Sequence, residues 1–470
     1  MSEIFNLSRF GKSVALVTEN EKITYERLKE ESDDFAKRIG KRCLLFLLCK
    51  NEPAAIIAYI GCINNGIVPV MLDSELDTVL LARLIDIYCP EYIWQPTEVK
   101  KFANVEQVFS SRGYTLWSTK TKNAFSLYKD LALLMTTSGS TGSQKLVRLS
   151  YGNLRANMAS IIEYLGINMQ ERAITNLPIH YVYGLSIVNT HICVGASLVV
   201  TARSIFQKEF WQLFNEKVVT SLAGVPYTFQ MLERLRFFRM NLPSLHTITQ
   251  AGGKLDPELH KKFAEYAQNE RKRFFVMYGA SEATARMGYL PHEESLRKCG
   301  SMGVAIPGGR FELIAEEGSV IEKPYVAGEL VYYGANVMLG YAESREDLGK
   351  GDSLQGKLHT GDIACRDEEG FYTIVGRKKR FIKMFGKRTN LAEVEHILRQ
   401  HFQLTDVACA GQDDKLYVFL TEKTLVKNMA LYLSAKFGFH PTSISVKYIE
   451  EIPQNTSGKI LYQQLEQYYS

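Results

Sequence analysis

Short apolar runs alternate with amphipathic stretches over most of the chain. Cys43–Cys49 reads CLLFLLC, a continuous apolar run that is typical of a strand. Ala54–Gly66 follows as a helix that ends at a glycine, and the next run, IVPVML, is again strand-like. The alternation returns at Gly195–Val200, which is followed by FWQLFNEK and then by VTSLAGVP. Strands that alternate with helices in this way predict an α/β fold.

The pattern changes after Tyr325. GELVYYG, GFYTIVG and KLYVFLT are short β-rich segments with turn glycines between them. A basic stretch, Gly376–Arg388, then precedes LAEVEHILRQHF, which has the spacing of an amphipathic helix. We place a domain boundary at this stretch, near Lys378 and Lys379. The predicted fold class is therefore α/β, with a large N-terminal multi-subdomain α/β domain over residues 1–377 and a small mobile C-terminal α+β domain over residues 378–470.

The composition excludes several classes of protein. With 470 residues the chain exceeds what one compact core usually holds, so at least two domains are expected. The net charge of +5, from 56 basic and 51 acidic residues, does not indicate a nucleic-acid partner. The eight cysteines are scattered without a CxxC pair, which argues against a zinc site or a disulfide framework. No run approaches the ~18 apolar residues of a membrane span, and no signal peptide is recognisable, so a cytoplasmic protein is expected.

The segment Thr136–Lys145, TTSGSTGSQK, is a candidate phosphate-binding loop that follows the apolar run LALLM. Glycines allow backbone N–H groups to converge on an anion, hydroxyls add donors, and Lys145 supplies a positive charge. It is not a Walker A loop, which would need a glycine at Gln144. The alternative interpretation is a flexible surface loop.

A second candidate is Met277–Ala283, MYGASEA. The ring of Tyr278 can stack on a flat base, while Ser281 and Glu282 offer a phosphate donor and a hard oxygen ligand for Mg²⁺. Taken alone, such a string is more typical of a turn or a helix start.

Two further candidates lie nearer the C-terminus. In Leu358–Lys383, Asp362 on a tight glycine turn could accept both hydroxyls of a ribose, and Arg377 could meet a phosphate. The alternatives are an exposed hairpin with a solvated basic edge, or a nucleic-acid patch, which the near-neutral charge and the scarcity of stacking aromatics disfavour. The last string, PQNTSGKI, places Lys459 on a loop, where a lone lysine is usually solvent-exposed.

The order and spacing of these strings resemble the acyl-adenylate-forming (AMP-binding) superfamily, which includes acyl-CoA synthetases, stand-alone adenylation enzymes and firefly luciferase. The resemblance runs from ITYERLKEESDDFAKRI to Lys459, through AYIGCINNGIVPVMLD, LAGVPYTFQML and GELVYYGANVMLGY. It implies a ligase that uses ATP and Mg²⁺ to activate a carboxylic acid as its acyl-adenylate, with release of pyrophosphate.

The resemblance also implies a role for each candidate residue. Lys145 would hold the β- and γ-phosphates, Tyr278 would stack on adenine, and Glu282 would bind Mg²⁺. Lys459 would neutralise the charge that the carboxylate and the α-phosphate share in the transition state. The implied catalytic residues are Lys459, Glu282, Arg377 and Lys145. The residues implied to bind ATP or AMP are Thr137, Ser138, Gly139, Ser140, Thr141, Gly142, Lys145, Gly253, Lys254, Tyr278, Gly279, Ser281, Glu282, Asp362, Arg377 and Lys459.

Enzymes of this family rotate the C-terminal domain between two half-reactions. Lys379 stands at the implied hinge, and Lys383 and Gly386 would lie on the face presented for thioester formation. The chain departs from the family where its phosphate loop ends in QKLV, since a glycine commonly follows the lysine. It is also short, and no carrier domain follows Lys459. We therefore expect a stand-alone enzyme with a separate acceptor.

The acceptor implied by the resemblance is a phosphopantetheine thiol. A free-standing carrier protein is slightly favoured here, because the compact form is similar to enzymes that load one, and CoA is the alternative. A catalytically silent nucleotide-binding member is a hypothesis of another class. It would predict decay at the catalytic positions, yet Lys145, Glu282, Asp362, Arg377 and Lys459 are all present.

The segment Leu177–Ser186, LPIHYVYGLS, resembles the stretch that lines the acyl pocket in the family. Members that activate α-amino acids usually have an aspartate where Tyr181 stands, because a buried ammonium needs a carboxylate partner. No acid occurs between Ile174 and Val200, so the substrate is expected to be an apolar, aryl or hydroxylated acid without a recognised α-amino group. The alternative is that these aromatics are core residues and an acid from elsewhere, such as Asp256, reaches in. The residues assigned to the acyl pocket are His180, Tyr181, Tyr183 and Gly252.

Overall fold

The structure is a computed structural model that describes residues 4–99, 105–119, 121, 126–136, 145–384, 387–404, 406–412, 414–437, 439–454 and 460–469. The chain divides into two compact units. Of the described residues, the larger unit contains those up to 310 together with 332–358, and the smaller unit contains 311–331 and those from 359 onward. The predicted boundary between residues 377 and 378 and the hinge at Lys379 remain predictions.

Two mixed sheets and the helices packed on them form the larger unit. The strands of the first sheet are β3 (Leu44–Cys49), β4 (Val68–Asp73), β5 (Tyr92–Pro96), β6 (Glu106–Ser111), β7 (Tyr114–Ser118), β8 (Leu131–Thr136), β9 (Leu146–Ser150) and β19 (Gly340–Ala342). Those of the second are β1 (Val14–Val17), β2 (Lys22–Thr24), β10 (Arg172–Ile174), β11 (Ser197–Val199), β12 (Ser221–Gly224), β13 (Thr247–Gln250), β14 (Arg273–Tyr278), β15 (Gly288–Leu290) and β16 (Val304–Ala305). The helices are α1 (Tyr25–Ile39), α2 (Pro53–Asn64), α3 (Thr78–Tyr88), α4 (Tyr151–Leu165), α5 (Val182–Val194), α6 (Lys208–Glu216), α7 (Pro226–Arg234) and α8 (Pro257–Asn269).

The strand order of the first sheet is β19-β9-β8-β4-β3-β5-β7-β6. Every residue of β3 is buried, and β3 pairs in parallel with β4 and β5. A strand covered on both faces needs apolar residues at every position, which explains the run CLLFLLC. Helix α2 begins at a proline, which suits the first helical turn, and is buried over most of its length. The strand predicted at Cys43–Cys49 and the helix predicted at Ala54–Gly66 are confirmed.

The second sheet has the order β16-β15-β14-β13-β12-β10-β11-β1-β2. Its strands β12, β13 and β14 are parallel neighbours. Their carboxyl ends therefore meet at one edge of the sheet, where loops commonly carry ligand-binding residues in α/β folds. Gly252 follows β13 at this edge, and the Tyr278 string follows β14.

Three further sheets lie wholly or mostly in the smaller unit. Their strands are β17 (Gly309–Ile314), β18 (Gly328–Gly334), β20 (Lys357–Arg366) and β21 (Tyr372–Arg377); β22 (Phe381–Met384) and β23 (Lys387–Asn390); and β24 (Val407–Gln412), β25 (Lys415–Leu420) and β26 (Ile444–Tyr448). The helices are α9 (Leu391–Phe402), α10 (Val426–Phe437) and α11 (Tyr462–Leu465). Val394 and Leu398 of α9 and Leu433 of α10 pack in a core with Val418 of β25. The predicted fold class is confirmed. Among the described residues, no helix is long and apolar enough to cross a bilayer.

Candidate active site

The candidate phosphate loop joins β8 to β9, and its ends are described. Thr136 is the last residue of β8, and Lys145 directly precedes β9. The Lys145 Nζ lies 3.7 Å from the centroid of the Tyr341 ring and 3.3 Å from Glu343 Oε1. Thr137, Ser138, Gly139, Ser140, Thr141 and Gly142 lie outside the described residues.

Glu282 stands beside the same tyrosine. Tyr341 donates its hydroxyl to Glu282 Oε1 at 2.8 Å, and the backbone carbonyl of Glu282 accepts a hydrogen bond from the N–H of Met338. Burial, with the Glu282 carboxylate nearby, raises the pKa of Tyr341 well above that of a free phenol. Tyr341 therefore remains a donor at neutral pH, and the structure brings together Lys145, Tyr341 and Glu282.

The sequence analysis assigned no role to Tyr341. The residue lies in β19, which pairs antiparallel with β9, so that Tyr341 faces Val147, two residues after Lys145. Cross-strand neighbours on paired strands come into contact whatever their separation in sequence. The only available signal was the string GANVMLGY, which ends at this tyrosine.

Asn336 is a second residue that sequence reasoning missed. It is 3% exposed, and its Nδ2 donates to the backbone carbonyls of Ala283 and Arg286 at 2.8 Å each. The backbone carbonyl of Asn336 accepts a hydrogen bond from the hydroxyl of Thr284 at 2.6 Å. Asn336 thus fixes the segment that follows Glu282 through three hydrogen bonds.

This segment, Tyr278–Met287, is a tight loop closed by a hydrogen bond from the Met287 N–H to the Tyr278 carbonyl at 2.9 Å. A Cβ at Gly279 would lie 1.7 Å from the carbonyl oxygen of Ala285, so the loop requires a glycine there. Ala285 itself has a φ of 137°, a conformation that costs free energy for a residue with a side chain. Tyr278 and Glu282 are half-buried, and Ser281 is buried.

Gly252, Gly253 and Lys254 form the exposed turn after β13. Gly252 has a φ of 86°, and a Cβ there would lie 2.7 Å from the Tyr181 hydroxyl oxygen. The Nε2 of Gln250 donates to the carbonyl of Gly253 at 2.9 Å. The structure therefore brings two predicted pocket residues, Gly252 and Tyr181, into proximity.

His180 has an acidic neighbour that the sequence did not reveal. Its Nε2 lies 3.6 Å from Oδ2 of Asp73, the last residue of β4. Burial lowers the pKa of His180, against the opposing effect of Asp73, so the imidazole is neutral at pH 7. Asp256, the acid named as the alternative, instead caps α8 and accepts from the N–H groups of Glu258 and Leu259.

Tyr183 is fully buried, and it donates its hydroxyl to Thr249 Oγ1 at 2.8 Å. It borders a cavity of about 40 Å³ between α4 and α5 on one side and β12, β13 and β14 on the other. Apolar side chains such as Ile161, Ile187 and Met277 line most of it. This volume exceeds the roughly 10–15 Å³ that one water needs.

Asp362 and Arg377 are partners in the smaller unit. Asp362 is 5% exposed, and its Oδ1 accepts from Arg377 Nε at 2.8 Å. The two residues stand opposite each other on β20 and β21. The expectation that Asp362 lies on a tight turn was wrong, because β20 continues through it although Gly361 has a φ of 69°.

Lys379 lies in the short 3₁₀ helix Lys378–Arg380 between β21 and β22, and Lys383 lies in β22. Only the backbone of these two lysines is described. Arg380, which follows Lys379, forms an ion pair with Glu395 at 2.7 Å. Its guanidinium lies 3.7 Å from the centroid of the Tyr462 ring. Gly386 and Lys459 lie outside the described residues.

The side chains described at the site offer few ligands for a metal ion. Among the described residues, no cluster of three or more His, Cys, Asp or Glu side chains could hold an ion. Glu282 offers one carboxylate, which fits Mg²⁺, because this ion is commonly bound by one or two carboxylates together with substrate phosphates.

A sequence profile described as AMP-binding enzyme matches residues 6–342. The 2-succinylbenzoate–CoA ligase of Bacillus pumilus is 26% identical over 467 residues, which are 95% of this chain and 93% of that protein. The ligase of the same name from Bacillus subtilis is 26% identical over 470 residues, 96% of this chain and 94% of that protein.

Solved structures show the same fold. o-Succinylbenzoate CoA synthetase from Bacillus subtilis, in complex with its acyl-adenylate intermediate, has a TM-score of 0.80 at 22% identity and covers 98% of this chain and 96% of its own. Its complex with ATP and a magnesium ion gives 0.78 at 23% identity, covering 98% of each chain. Neither comparison supports the carrier protein favoured above, because these relatives are named for CoA. The chain belongs to the AMP-binding enzyme family, as an AMP-forming ligase that makes acyl-adenylates with ATP and Mg²⁺.

Proposed function

We propose that this protein is an acyl-CoA ligase. In the first half-reaction, an oxygen of the acid attacks the α-phosphorus of ATP, the bond to the β-phosphate breaks, and pyrophosphate leaves. In the second, the sulfur of CoA attacks the acyl carbon, AMP leaves, and the thiol proton passes to solvent. The full-length similarity to two proteins named CoA ligases supports this acceptor over a carrier protein.

The observation that carries the adenylation step is the contact of Tyr341 with both Glu282 and Lys145. The carboxylate of Glu282 would hold Mg²⁺, which neutralises phosphate charge, and the Tyr341 hydroxyl fixes the orientation of that carboxylate. The Lys145 Nζ lies over the same ring, 3.7 Å from its centroid, and would face the leaving phosphates. A preorganised positive charge at this point stabilises the transition state.

The other implied roles are part of the proposal. Tyr278 would stack on adenine beside the exposed turn of Gly253 and Lys254, and Ser281 would bond the α-phosphate. Asp362 and Arg377 would bind the ribose and phosphate, and Lys459 would act in adenylation. Rotation about Lys379 would then exchange this lysine for the face of Lys383 and Gly386.

The acceptor is tested by supplying one activated acid with two thiols. The purified full chain receives ATP, Mg²⁺ and a panel of carboxylic acids, with either CoA or a phosphopantetheinylated carrier protein at equal thiol concentration. We expect acyl-CoA to form at least ten times more efficiently than the acylated carrier. Faster loading of the carrier would contradict the CoA assignment, and the absence of AMP and pyrophosphate with every acid would support a silent member instead.

The acid is proposed to lack a recognised α-amino group. Tyr181 stands where members of the family that activate α-amino acids usually have an aspartate, and Asp256 caps α8. Pyrophosphate exchange should therefore favour des-amino or hydroxy acids over the matching α-amino acids. At least tenfold better turnover of an α-amino acid than of its des-amino analogue would contradict this.

A further inference from the structure

A buried ion pair lies where four elements of the smaller unit meet. Arg380, in the 3₁₀ helix Lys378–Arg380, donates two hydrogen bonds to Glu395 of α9, from Nη2 to Oε1 at 2.7 Å and from Nη1 to Oε2 at 3.3 Å. Only 16% of the Arg380 side chain and 4% of the Glu395 side chain are exposed. Cys409 of β24 donates its backbone N–H to Glu395 Oε1 at 2.7 Å, and its carbonyl accepts from Arg380 Nη2 at 2.8 Å. The two side chains are therefore held in one geometry.

Tyr462, the first residue of α11, completes this cluster. Its hydroxyl donates to Glu395 Oε2 at 3.2 Å, and the guanidinium carbon of Arg380 lies 3.7 Å from the centroid of its ring. Burial, with the Glu395 carboxylate nearby, raises the pKa of Tyr462 well above that of a free phenol, so the hydroxyl remains a donor at neutral pH. A ring that stacks on a guanidinium and also bonds its counter-ion is constrained in position and in orientation.

The cluster holds the chain directly after the position of Lys459. Ile460 forms an antiparallel bridge with Gln454, and Tyr462 follows two residues later. Lys459, to which the proposed function gives a role in adenylation, directly precedes Ile460 in the sequence. The bridge and the cluster together fix the course of the backbone that follows this lysine.

The same cluster adjoins the implied hinge. Arg380 directly follows Lys379 in the sequence, just as Tyr462 follows Lys459 by three positions. The residues to which the proposed function gives the hinge and the adenylating lysine are thus each close in sequence to a member of one buried cluster. A buried ion pair favours one arrangement, because a shift of either partner leaves a buried charge uncompensated.

We propose that Tyr462 is a positioning residue for adenylation. Held by Arg380 and Glu395, it fixes the start of α11 and so sets the place of Lys459 relative to the hinge. A rotation about Lys379 then carries the whole cluster and the lysine together. This inference rests on the proposed function, because it concerns the lysine that the adenylation step would use.

The chemistry of the cluster favours positioning over simple stabilisation. A buried ion pair adds little net stability, because the loss of hydration of two charges offsets their attraction, and apolar replacements are often neutral. It does provide orientation, since a guanidinium and a carboxylate joined by two parallel hydrogen bonds lie in a common plane. The ring of Tyr462 stacks on that plane, so the start of α11 follows the orientation of Arg380.

The experiment measures the two half-reactions separately in Tyr462→Leu, which removes both the ring and the hydroxyl. Adenylation is followed by pyrophosphate exchange of the full chain with the acid that gives the fastest exchange in the panel. Acyl transfer is followed in single turnovers of the synthetic acyl-adenylate of that acid with CoA, or with the carrier protein if only the carrier accepts the acyl group. We expect kcat for adenylation to fall about 30- to 100-fold, because a misplacement of about 1 Å can cost about 100-fold. Acyl transfer and the KM for ATP should stay within about threefold of wild type, because the lysine would act only in adenylation.

Further variants separate positioning from folding. Tyr462→Phe keeps the ring beside the guanidinium and should retain adenylation within about fivefold of wild type. Tyr469→Leu removes another ring near the C-terminus, one that stacks on Tyr417 with centroids 4.3 Å apart, and it should lower stability without a selective loss of adenylation. If Tyr462→Leu does not fold, Arg380→Lys decides the matter. It keeps a charge beside Glu395 but removes the plane on which the ring stacks, so adenylation should fall at least about tenfold more than acyl transfer.

Three results would overturn the inference. They are equal losses in the two half-reactions of Tyr462→Leu, adenylation within about threefold of wild type, or a raised KM for ATP with kcat unchanged, which would assign Tyr462 to nucleotide binding. In each case the activity of the wild-type chain leaves the proposed function standing, so only the inference fails.

If the wild-type chain activates no acid, the proposed function fails, and amide hydrogen exchange of the full chain decides the inference. The N–H of Leu461 donates to the Pro453 carbonyl at 2.8 Å. In Tyr462→Leu this amide should exchange at least about tenfold faster than in wild type, with the amides of β25 unchanged. Unchanged protection of Leu461, or an equal loss of protection in β25, would overturn the inference.

Discussion

Replacing Tyr341 with phenylalanine removes one hydroxyl and keeps the ring. The hydroxyl donates to Glu282 Oε1 at 2.8 Å, whereas the contact of the ring with Lys145 Nζ, at 3.7 Å from the centroid, does not involve it. The variant therefore tests the orientation of the Glu282 carboxylate without disturbing the lysine.

The expected magnitude follows from that one contact. A hydrogen bond to a charged group contributes roughly 1.5–3 kcal/mol. Because about 1.4 kcal/mol is a factor of ten in rate, we expect kcat/KM for adenylation to fall roughly 10- to 150-fold. If Glu282 binds Mg²⁺, loss of its orienting donor should also raise the Mg²⁺ concentration needed for half-maximal activity.

The assay is pyrophosphate exchange over a range of Mg²⁺ concentrations. Tyr88→Phe is a matched control, because it also removes a buried tyrosine hydroxyl, one that donates to the carbonyl of Ala342 at 2.7 Å. The control should lose stability and keep its Mg²⁺ dependence. Activity of Tyr341→Phe within twofold of wild type at every Mg²⁺ concentration would refute the role given to this hydroxyl.

Three further changes test the loop, the lysine and the hinge. Gly279→Ala places a Cβ 1.7 Å from the Ala285 carbonyl oxygen and should destabilise the protein by about 3 kcal/mol in urea unfolding. Gly351→Ala is the control, because a Cβ at Gly351 has room. Equal urea midpoints for the two variants would contradict the requirement for glycine at position 279. Lys459→Ala should lower pyrophosphate exchange by about 100-fold or more with nucleotide binding by calorimetry nearly unchanged, because its role is confined to the transition state; exchange within a few-fold of wild type would rule this out. Lys379→Pro fixes the backbone φ and should slow thioester formation more than adenylation in single-turnover assays of each step; equal losses would argue against a hinge.

The spacing of apolar residues within one segment correctly predicted individual helices and strands. Helix α9 spans the twelve residues LAEVEHILRQHF, and β18 spans GELVYYG. In α9 the buried residues Leu391, Val394, Glu395 and Leu398 repeat at the spacing that the geometry of a helix sets. The end of β20 was less predictable, because Gly361 suggested a turn where the strand in fact continues to Arg366.

Site residues that belong to a motif within one segment could be predicted from the sequence. Site residues that meet the others only through the pairing of distant strands were missed. Glu282 could be named from its string, but Tyr341 reaches it only because β19 pairs with β9. Asn336 and Tyr462 share this property, since their partners lie on other elements. Which buried polar groups meet is a property of the packed molecule, and a single sequence does not contain it.

The closed loop from Tyr278 to Met287 carries Glu282 and Arg286 only four positions apart. An insertion or deletion between Glu282 and Arg286 would change the spacing of the two backbone carbonyls, those of Ala283 and Arg286, that accept from the single Nδ2 of Asn336. Glu282 would then lose its position beside the Tyr341 hydroxyl. Libraries intended to alter the accepted acid should therefore leave the length of this loop fixed and vary positions outside it.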